Sequence, residues 1–268
     1  MANAYDEVAY PSAVYPRTHP AVLAAIALLS GLQPAPVERC RVLELACGDG
    51  LNLIAMAYGL PGSRFVGLDL AADPIARGAA MIEKLGLKNV TLQARDVTAL
   101  DPTELGEFDY IIAHGFYSWA PAPVREKIME ICGRHLSAEG VAYISYNAYP
   151  GNHIRDITRG MMRYHAAHFP DPVEQIGQAR GLLKLIAGAG EPDALYRQIV
   201  AFEEERVREL SNGHLRHDDL NPHNQPFYFH EFMAAALAHA PSNLTTKRLA
   251  LCFMMLMPRR RKDAGCSS

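Results

Sequence analysis

The run Glu44-Leu45-Ala46-Cys47-Gly48-Asp49-Gly50 puts a carboxylate near the end of an apolar stretch and two glycines in the turn beyond it. Glycine lets backbone approach a ligand with no Cβ in the way. If a helix follows, its first N–H groups face whatever the turn holds. Glu44 is placed to receive an ammonium, such as that of an amino-acid moiety. Asp69 follows about 20 residues beyond the loop, the distance at which a carboxylate takes ribose hydroxyls. Asp96, within Arg95-Asp96-Val97, can accept from an exocyclic adenine amine, and the Val97 N–H can reach a ring nitrogen. His114-Gly115 and Ser145-Tyr146-Asn147 close the series of strand-end segments.

Each part has a plain structural alternative. Asp69 alone is a strand-end turn residue, and Asp96 alone is a helix N-cap. Their order along the chain makes the set more specific than any member. A nicotinamide site is the main competitor, but its G-x-G-x-x-G/A pattern fails here, because Leu51, Asn52 and Leu53 follow Gly50. Glu44 and Asp96 also have no role in that pattern.

The elements needed to hold these residues follow from periodicity. Strands are expected at 41–45, 64–70, 90–94, 108–114 and 141–146, with helices at 21–32, 51–58, 74–85 and 123–136, the last closed by Glu139-Gly140. Such alternation implies a parallel sheet with right-handed crossovers and a ligand beyond the strand C-termini. Beyond Gly151 the pattern turns helical, at 154–168, 173–187, 192–210 and 227–239. The stretch 212–226 reads as a solvated, histidine-bearing loop, and Glu203-Glu204-Glu205 as an exposed helix face. The first 20 residues read as a non-helical lead-in or lid, in which Tyr10 and His19 pack or fold over the ligand. The expected division is a ligand-binding domain at 1–150, a helical substrate or regulatory segment at 151–240 and a divergent tail at 241–268.

Composition bounds the reading. A net charge of −3 gives no general attraction to nucleic acid or anionic membrane. The apolar runs at 21–32 and 249–257 are shorter than the ~20 residues of a membrane helix. Five cysteines without a CxxC pair fit a reduced, cytoplasmic setting. The histidines at 214, 217, 223 and 230 match no zinc spacing, so no metal is expected. The basic run Arg259–Lys262 reads as a solvated tail.

Residues 42–50, 65–69 and 95–96 resemble motifs of class I S-adenosylmethionine (SAM) dependent methyltransferases. Tyr5-Asp6-Glu7-Val8, Tyr10-Pro11-Ser12, Thr18-His19-Pro20, FDYIIAHGFYSW (108–119), VAYISYNAYPG (141–151) and FYFHEF (227–232) narrow the resemblance. They are similar to bacterial methyltransferases carrying a methyltransferase regulatory domain, a group that includes protein-lysine methyltransferases acting on outer-membrane proteins. The resemblance implies a Rossmann-like class I sheet with a helical appendage, SAM as cofactor and a protein or peptide as acceptor. The implied cofactor-binding residues are Glu44, Ala46, Cys47, Gly48, Gly50, Asn52, Asp69, Leu70, Asp96, Val97 and His114. His114, Tyr117, Trp119 and Tyr146 are the implied catalytic residues, with Asn147 and Tyr149 also on the substrate side.

Two departures from the family carry expectations. Ala46 stands where the first loop glycine is usual, and a negative φ there would let alanine keep the turn with weakened cofactor binding. The resemblance stops near Ala240 with no clean sixth and seventh strands, so the sheet edge is expected to be incomplete and the chain truncated or frame-shifted. A SAM-binding protein without turnover is therefore the alternative to an active enzyme.

Overall fold

A computed structural model describes residues 10–101, 104–191 and 194–239. Five strands form one sheet: β1 (Arg41–Leu45), β2 (Arg64–Asp69), β3 (Val90–Ala94), β4 (Phe108–Ala113) and β5 (Leu136–Ile144). Their order is β3-β2-β1-β4-β5 and every pairing is parallel. The chain order reverses between β1 and β4, so a crevice opens beyond their C-terminal ends. This is the Rossmann-like arrangement of class I methyltransferases.

A parallel sheet must be covered on both faces, since its crossovers lay helices on each. The strand residues divide accordingly. Val42, Tyr110, Ile112, Val141 and Tyr143 pack with α1 (Pro20–Leu29) and α2 (Leu51–Gly59), through Leu23, Ala27, Leu53 and Met56. Leu43, Leu45, Ile111, Ala113 and Ile144 face the other way, onto Ile128, Met129 and Ile131 of α4 (Ala122–His135) and Phe232 of α8 (Phe229–Ala238). Helix α3 (Ala72–Leu85) joins β2 to β3 and ends at Gly86, whose φ of +67° suits glycine.

Helices α5 (Asn152–Ala166), α6 (Pro172–Gly188) and α7 (Leu195–Glu209) follow and share a core of their own, including Met162, Ile176, Leu183, Val200 and Val207. The chain then returns to the sheet. Phe227 N–H donates to Asn147 O at 2.9 Å, Tyr149 N–H to Phe227 O at 3.0 Å and Gln225 N–H to Ser118 O at 2.8 Å. A parallel bridge pairs Ala148 with Phe227. The helical segment is thus stitched to the loops leaving β4 and β5.

Several expectations need correction. The lead-in is not devoid of helix, since Pro16–Thr18 forms a 3-10 turn and α1 starts at Pro20. Strand β5 starts at Leu136, so Glu139-Gly140 lies inside the strand and does not close a helix. The stretch expected to be a solvated loop holds a helical turn, Asn212–His214, and a π turn, Leu215–Asp219. Its Leu215, His217, Asp219 and Leu220 are buried. Glu203 is also buried, and pairs with Arg206 at 2.8 Å. The sequence shows charge and turn-forming residues there, but only packing reveals their partners. The tail at 241–268 lies outside the described residues.

Asp219 is fully buried and holds Arg155 of α5 at 3.1 Å and Arg206 of α7 at 2.8 Å. The two guanidiniums hold its carboxyl below the usual carboxylate range, against the opposing effect of burial. Deleting one partner of a buried ionic group leaves the others uncompensated, at a cost of about 3–5 kcal/mol. The arginines keep some solvent contact, so the lower figure applies. Asp219→Ala is expected to lower the unfolding free energy by about 3 kcal/mol in urea titrations. A change below ~1 kcal/mol would refute a structural role for this group.

Candidate active site

The site lies past the ends of β1, β2 and β4. Glu44, near the end of β1, is 4% exposed, and its Oε1 accepts from Asn52 Nδ2 at 2.9 Å. Its Oε2 is buried with no hydrogen-bond partner among the described residues. Burial pushes the carboxyl up to about 7, although the Asn52 hydrogen bond works in the opposite direction. A buried oxygen left in this state is costly and suits an incoming cationic donor.

Asn52 lies on the first turn of α2 and is 3% exposed. Besides Glu44, its Nδ2 donates to Thr18 Oγ1 at 3.0 Å, and its Oδ1 accepts from Tyr15 N–H at 2.9 Å. One amide thus joins β1, α2 and the lead-in. Ser12 Oγ donates to the Asp49 carboxylate, a second tie between lead-in and loop. Tyr15 and His114 sit with ring centroids 4.0 Å apart.

The loop conformation explains its glycines and contradicts one expectation. Gly48 and Gly50 have φ of +59° and +71°. A Cβ on Gly48 would meet nothing within 4 Å, whereas one on Gly50 would strike Leu92 Cδ2 at 2.6 Å. Gly48 therefore lies open, as a cradle requires, and Gly50 lets α2 approach β3. Ala46 has φ +56°, where a negative value was expected. The turn demands the left-handed region at that position, and alanine occupies it under strain. Gly78 of α3 was not singled out from the sequence, yet a Cβ there would collide with the Asp49 carbonyl. Cys47 N–H donates to Leu68 O at 3.1 Å, and burial raises its thiol pKa, so the thiol stays protonated.

Asp69 ends β2 and accepts from Gly48 N–H and Ala71 N–H, each at 2.8 Å. Two backbone donors fix its carboxylate against the loop. Leu70 beside it is 67% exposed, an apolar surface open to a ring. Asp96 caps the turn Val97–Ala99, accepting from Thr98 N–H at 2.8 Å and Thr98 Oγ1 at 2.7 Å. Val97 is buried. Its flanking acid therefore has the N-cap role, leaving carboxylate acceptor capacity beyond these two bonds.

His114 follows β4. Its Nδ1 lies 3.2 Å from Ser145 Oγ, which also accepts from Gly115 N–H at 2.7 Å. Burial, with a smaller contribution from Arg17, pushes the imidazole down to about 4, so it is neutral at physiological pH. Tyr117 and Tyr146 are each 3% exposed and pack with the α8 core. Tyr117 has Phe227 and Phe232 at 5.4 Å, and Tyr146 stacks on Phe232 at 4.2 Å. Trp119 is half-buried at the end of the 3-10 turn Tyr117–Trp119. Asn147 Nδ2 donates to Asn224 Oδ1 at 2.8 Å, and the Tyr149 hydroxyl donates to Asp156 at 3.1 Å. These rings and amides fasten the helical segment to the strand ends. His19 caps α1, with Nδ1 accepting from Ala21 N–H at 3.1 Å, and Tyr10 stands 5.1 Å from His214. Among the described residues no group of three His, Cys, Asp or Glu side chains is placed to hold a metal.

SAM fits this donor set. The unpartnered Glu44 Oε2 suits its ammonium, the open face of Gly48 accommodates its bulk, and Asp69 and Asp96 stand at successive strand ends on the nucleoside side. Sequence reasoning gave Tyr15 no place, and the fold lays it over the loop together with Ser12 and Thr18. The signals in the sequence were the aromatic and polar alternation of the lead-in and the family-like segments around Ser12 and Thr18.

Two outcomes follow from the loop. Left-handed alanine costs about 1–2 kcal/mol, and glycine adds ~0.5–1 kcal/mol of unfolded-state entropy. Ala46→Gly should raise the unfolding free energy by up to about 1 kcal/mol, whereas a clear loss would show that the turn carries no strain. Glu44 binds a proton more tightly when folded, so its contribution to stability declines as pH rises from its ordinary value near 4.5 to about 7. Without SAM, wild type should lose on the order of 3 kcal/mol more than Glu44→Gln across that window. Parallel stability curves from urea unfolding would sink the assignment.

A family profile described as a methyltransferase domain matches residues 36–199. Uncharacterized protein RP789 of Rickettsia prowazekii is 40% identical over 258 residues, which cover 96% of this chain and 46% of that protein. Uncharacterized protein RP028 of the same organism is 35% identical, with 87% of this chain and 93% of that protein covered. Among solved structures, PKMT2 from Rickettsia typhi superposes with a TM-score of 0.77 at 33% identity, covering 86% of this chain and 44% of that one. Its complex with AdoHcy gives the same TM-score at 32% identity, covering 89% and 48%. The chain spans just under half the length of RP789 and PKMT2. Among its described residues no helix is long and apolar enough to cross a membrane. With a class I sheet, a glycine-bearing loop between its first strand and helix and a matching family profile, this chain belongs to the methyltransferase-domain family and takes S-adenosylmethionine as its cofactor.

Proposed function

We propose that this protein transfers a methyl group from SAM to the side-chain amine of a lysine in a protein or peptide. The observation that carries methyl transfer is Glu44, a buried carboxylate with one oxygen engaged by Asn52 and the other awaiting a donor. The lysine acceptor is supported by the likeness to PKMT2 of Rickettsia typhi and by the sequence resemblance to protein-lysine methyltransferases. Neither a nucleic-acid nor a membrane partner is proposed. A reduced, cytoplasmic setting agrees with Cys40, Cys47 and Cys132, which form no disulfide among the described residues.

Bound at the β1 loop, SAM supplies an electrophilic methyl on a cationic sulfur. Glu44, held by Asn52, is the residue for the ammonium of its methionine part. Asp69 is the residue for the ribose, with its orientation fixed by Gly48 and Ala71 N–H. Asp96, Val97 and the exposed Leu70 serve the adenine. Tyr15 and His114 meet at the mouth with their rings tilted, where they exclude water and guide the acceptor amine in line with the methyl. Holding the reactants in attacking geometry supplies most of the rate in such a displacement. Neutral His114 positions through Ser145 and is too weak a base to deprotonate an ammonium at neutral pH. Tyr117 and Tyr146 support these loops from the core, and Trp119 borders them.

The test is incubation of the 268-residue chain with SAM carrying a tritiated methyl and a bacterial protein extract. After acid hydrolysis, label should co-migrate with methyl-lysine and resist alkali. Calorimetric SAM binding with no transfer would favour a non-catalytic SAM-binding protein, and alkali-labile label would identify a carboxyl acceptor.

A further inference from the structure

A lysine acceptor arrives as an ammonium with an ordinary pKa near 10.4, and it reacts only after losing a proton. Most acids at the site are already engaged. Glu44 faces the methionine end, Asp69 is fixed by two backbone donors and Asp96 caps a turn. His114 is pushed down to about 4.

One carboxylate remains. Asp218 lies in the π turn Leu215–Asp219, partly buried. Such turns are rare and often mark functional sites. The turn packs against the lead-in, with Tyr10 at 5.1 Å from His214 and 5.9 Å from His217. Tyr15, the ring on His114, lies in the fields of both Glu44 and Asp218, which together with burial raise its phenol pKa. The lead-in thus joins this turn to the β1 loop, since Tyr10 meets His214 and His217 while Ser12 and Tyr15 hold Asp49 and Asn52. The adjacent Asp219 takes Arg155 and Arg206, whereas Asp218 makes no hydrogen bond or ion pair among the described residues.

We propose that Asp218 receives the acceptor's ammonium beside Tyr15 and takes its proton. The inference rests on the lysine reading above. The ammonium proton passes to the Asp218 carboxylate, which frees the nitrogen lone pair. The lone pair forms the new N–C bond as the C–S bond breaks, with that bond's electron pair remaining on sulfur. Asp218 then returns the proton to water.

The surroundings suit this task. Burial and Asp219 raise the Asp218 carboxyl, Arg155 of α5 and Arg206 of α7 lower it, and it settles at about 7. His217 and Arg216 share its turn, and Tyr10 of the lead-in meets that turn at His217. The group is thus poised between base and acid near neutral pH, where proton transfer is most effective.

The test uses the 268-residue chain with Nα-acetyl-lysine methylamide as amine probe, together with the labelled-methyl assay. D218N is expected to keep SAM affinity within about twofold and to lose at least ~100-fold in kcat. D218E should recover part of that loss. The acid limb near pH 7 in the wild-type kcat/KM profile should disappear in D218N. An independent readout is carbon-13 NMR of the Asp218 carboxyl without SAM, whose titration midpoint should fall when the probe is added. Should D218N lose SAM binding, this titration decides alone. D218N activity within threefold of wild type, or a carboxyl signal indifferent to the probe, overturns the proposal. If wild type binds SAM but labels no lysine, the lysine reading itself fails and the proposal falls with it.

Discussion

The hydrogen bond between Glu44 and Asn52 is the interaction on which the site depends. A carboxylate this deeply buried needs a donor to remain in place, and Asn52 is the donor the fold provides. The same amide fixes the lead-in through Thr18 and the Tyr15 backbone. Strand, helix and lead-in therefore share one small polar node within apolar surroundings. Such a node carries more weight than its bond count suggests, since low local polarity strengthens each bond and raises the cost of an unmet one. The other oxygen of Glu44 has no partner among the described residues, and it is the group the proposed function gives to the SAM ammonium.

A second buried polar group organises the helical segment. Asp219 ties α5 to α7 through two arginines, and the π turn that carries it meets the lead-in where His217 lies beside Tyr10. Tyr10 and Tyr15 then connect that turn with His114 and the β1 loop. The aromatic residues past β4 and β5 bind the return segment onto the sheet, and Phe232 fills the space between Tyr117 and Tyr146. The helical segment thus contributes to the mouth of the site and does not merely cover it.

The placement of the strand-end residues was legible because such motifs are local. A carboxylate near a strand end, a glycine-bearing turn and acids after the next two strands keep their meaning wherever the sheet lies. All five strands were placed from hydrophobic runs, with β1 and β3 agreeing at both ends. The misses arose where a distant partner decides the outcome. Glu203 reads as a surface acid until Arg206 and Asp219 pair around it. The stretch after Ser211 reads as a loop until the α5–α7 core buries Leu215 and Leu220. Ala46 reads as a mild substitution until the turn sets its φ at +56°.

By itself the sequence determined the alternation of strand and helix, the parallel sheet and the order of the acids at its strand ends. These rest on periodicity and on spacing within a few dozen residues. Only the tertiary structure decided that the lead-in crosses the loop, that one oxygen of Glu44 lacks a partner among the described residues and that Asp219 pairs with two arginines while the neighbouring Asp218 does not. Each depends on contacts between segments far apart in the chain, where burial and charge are set by neighbours that local pattern does not encode.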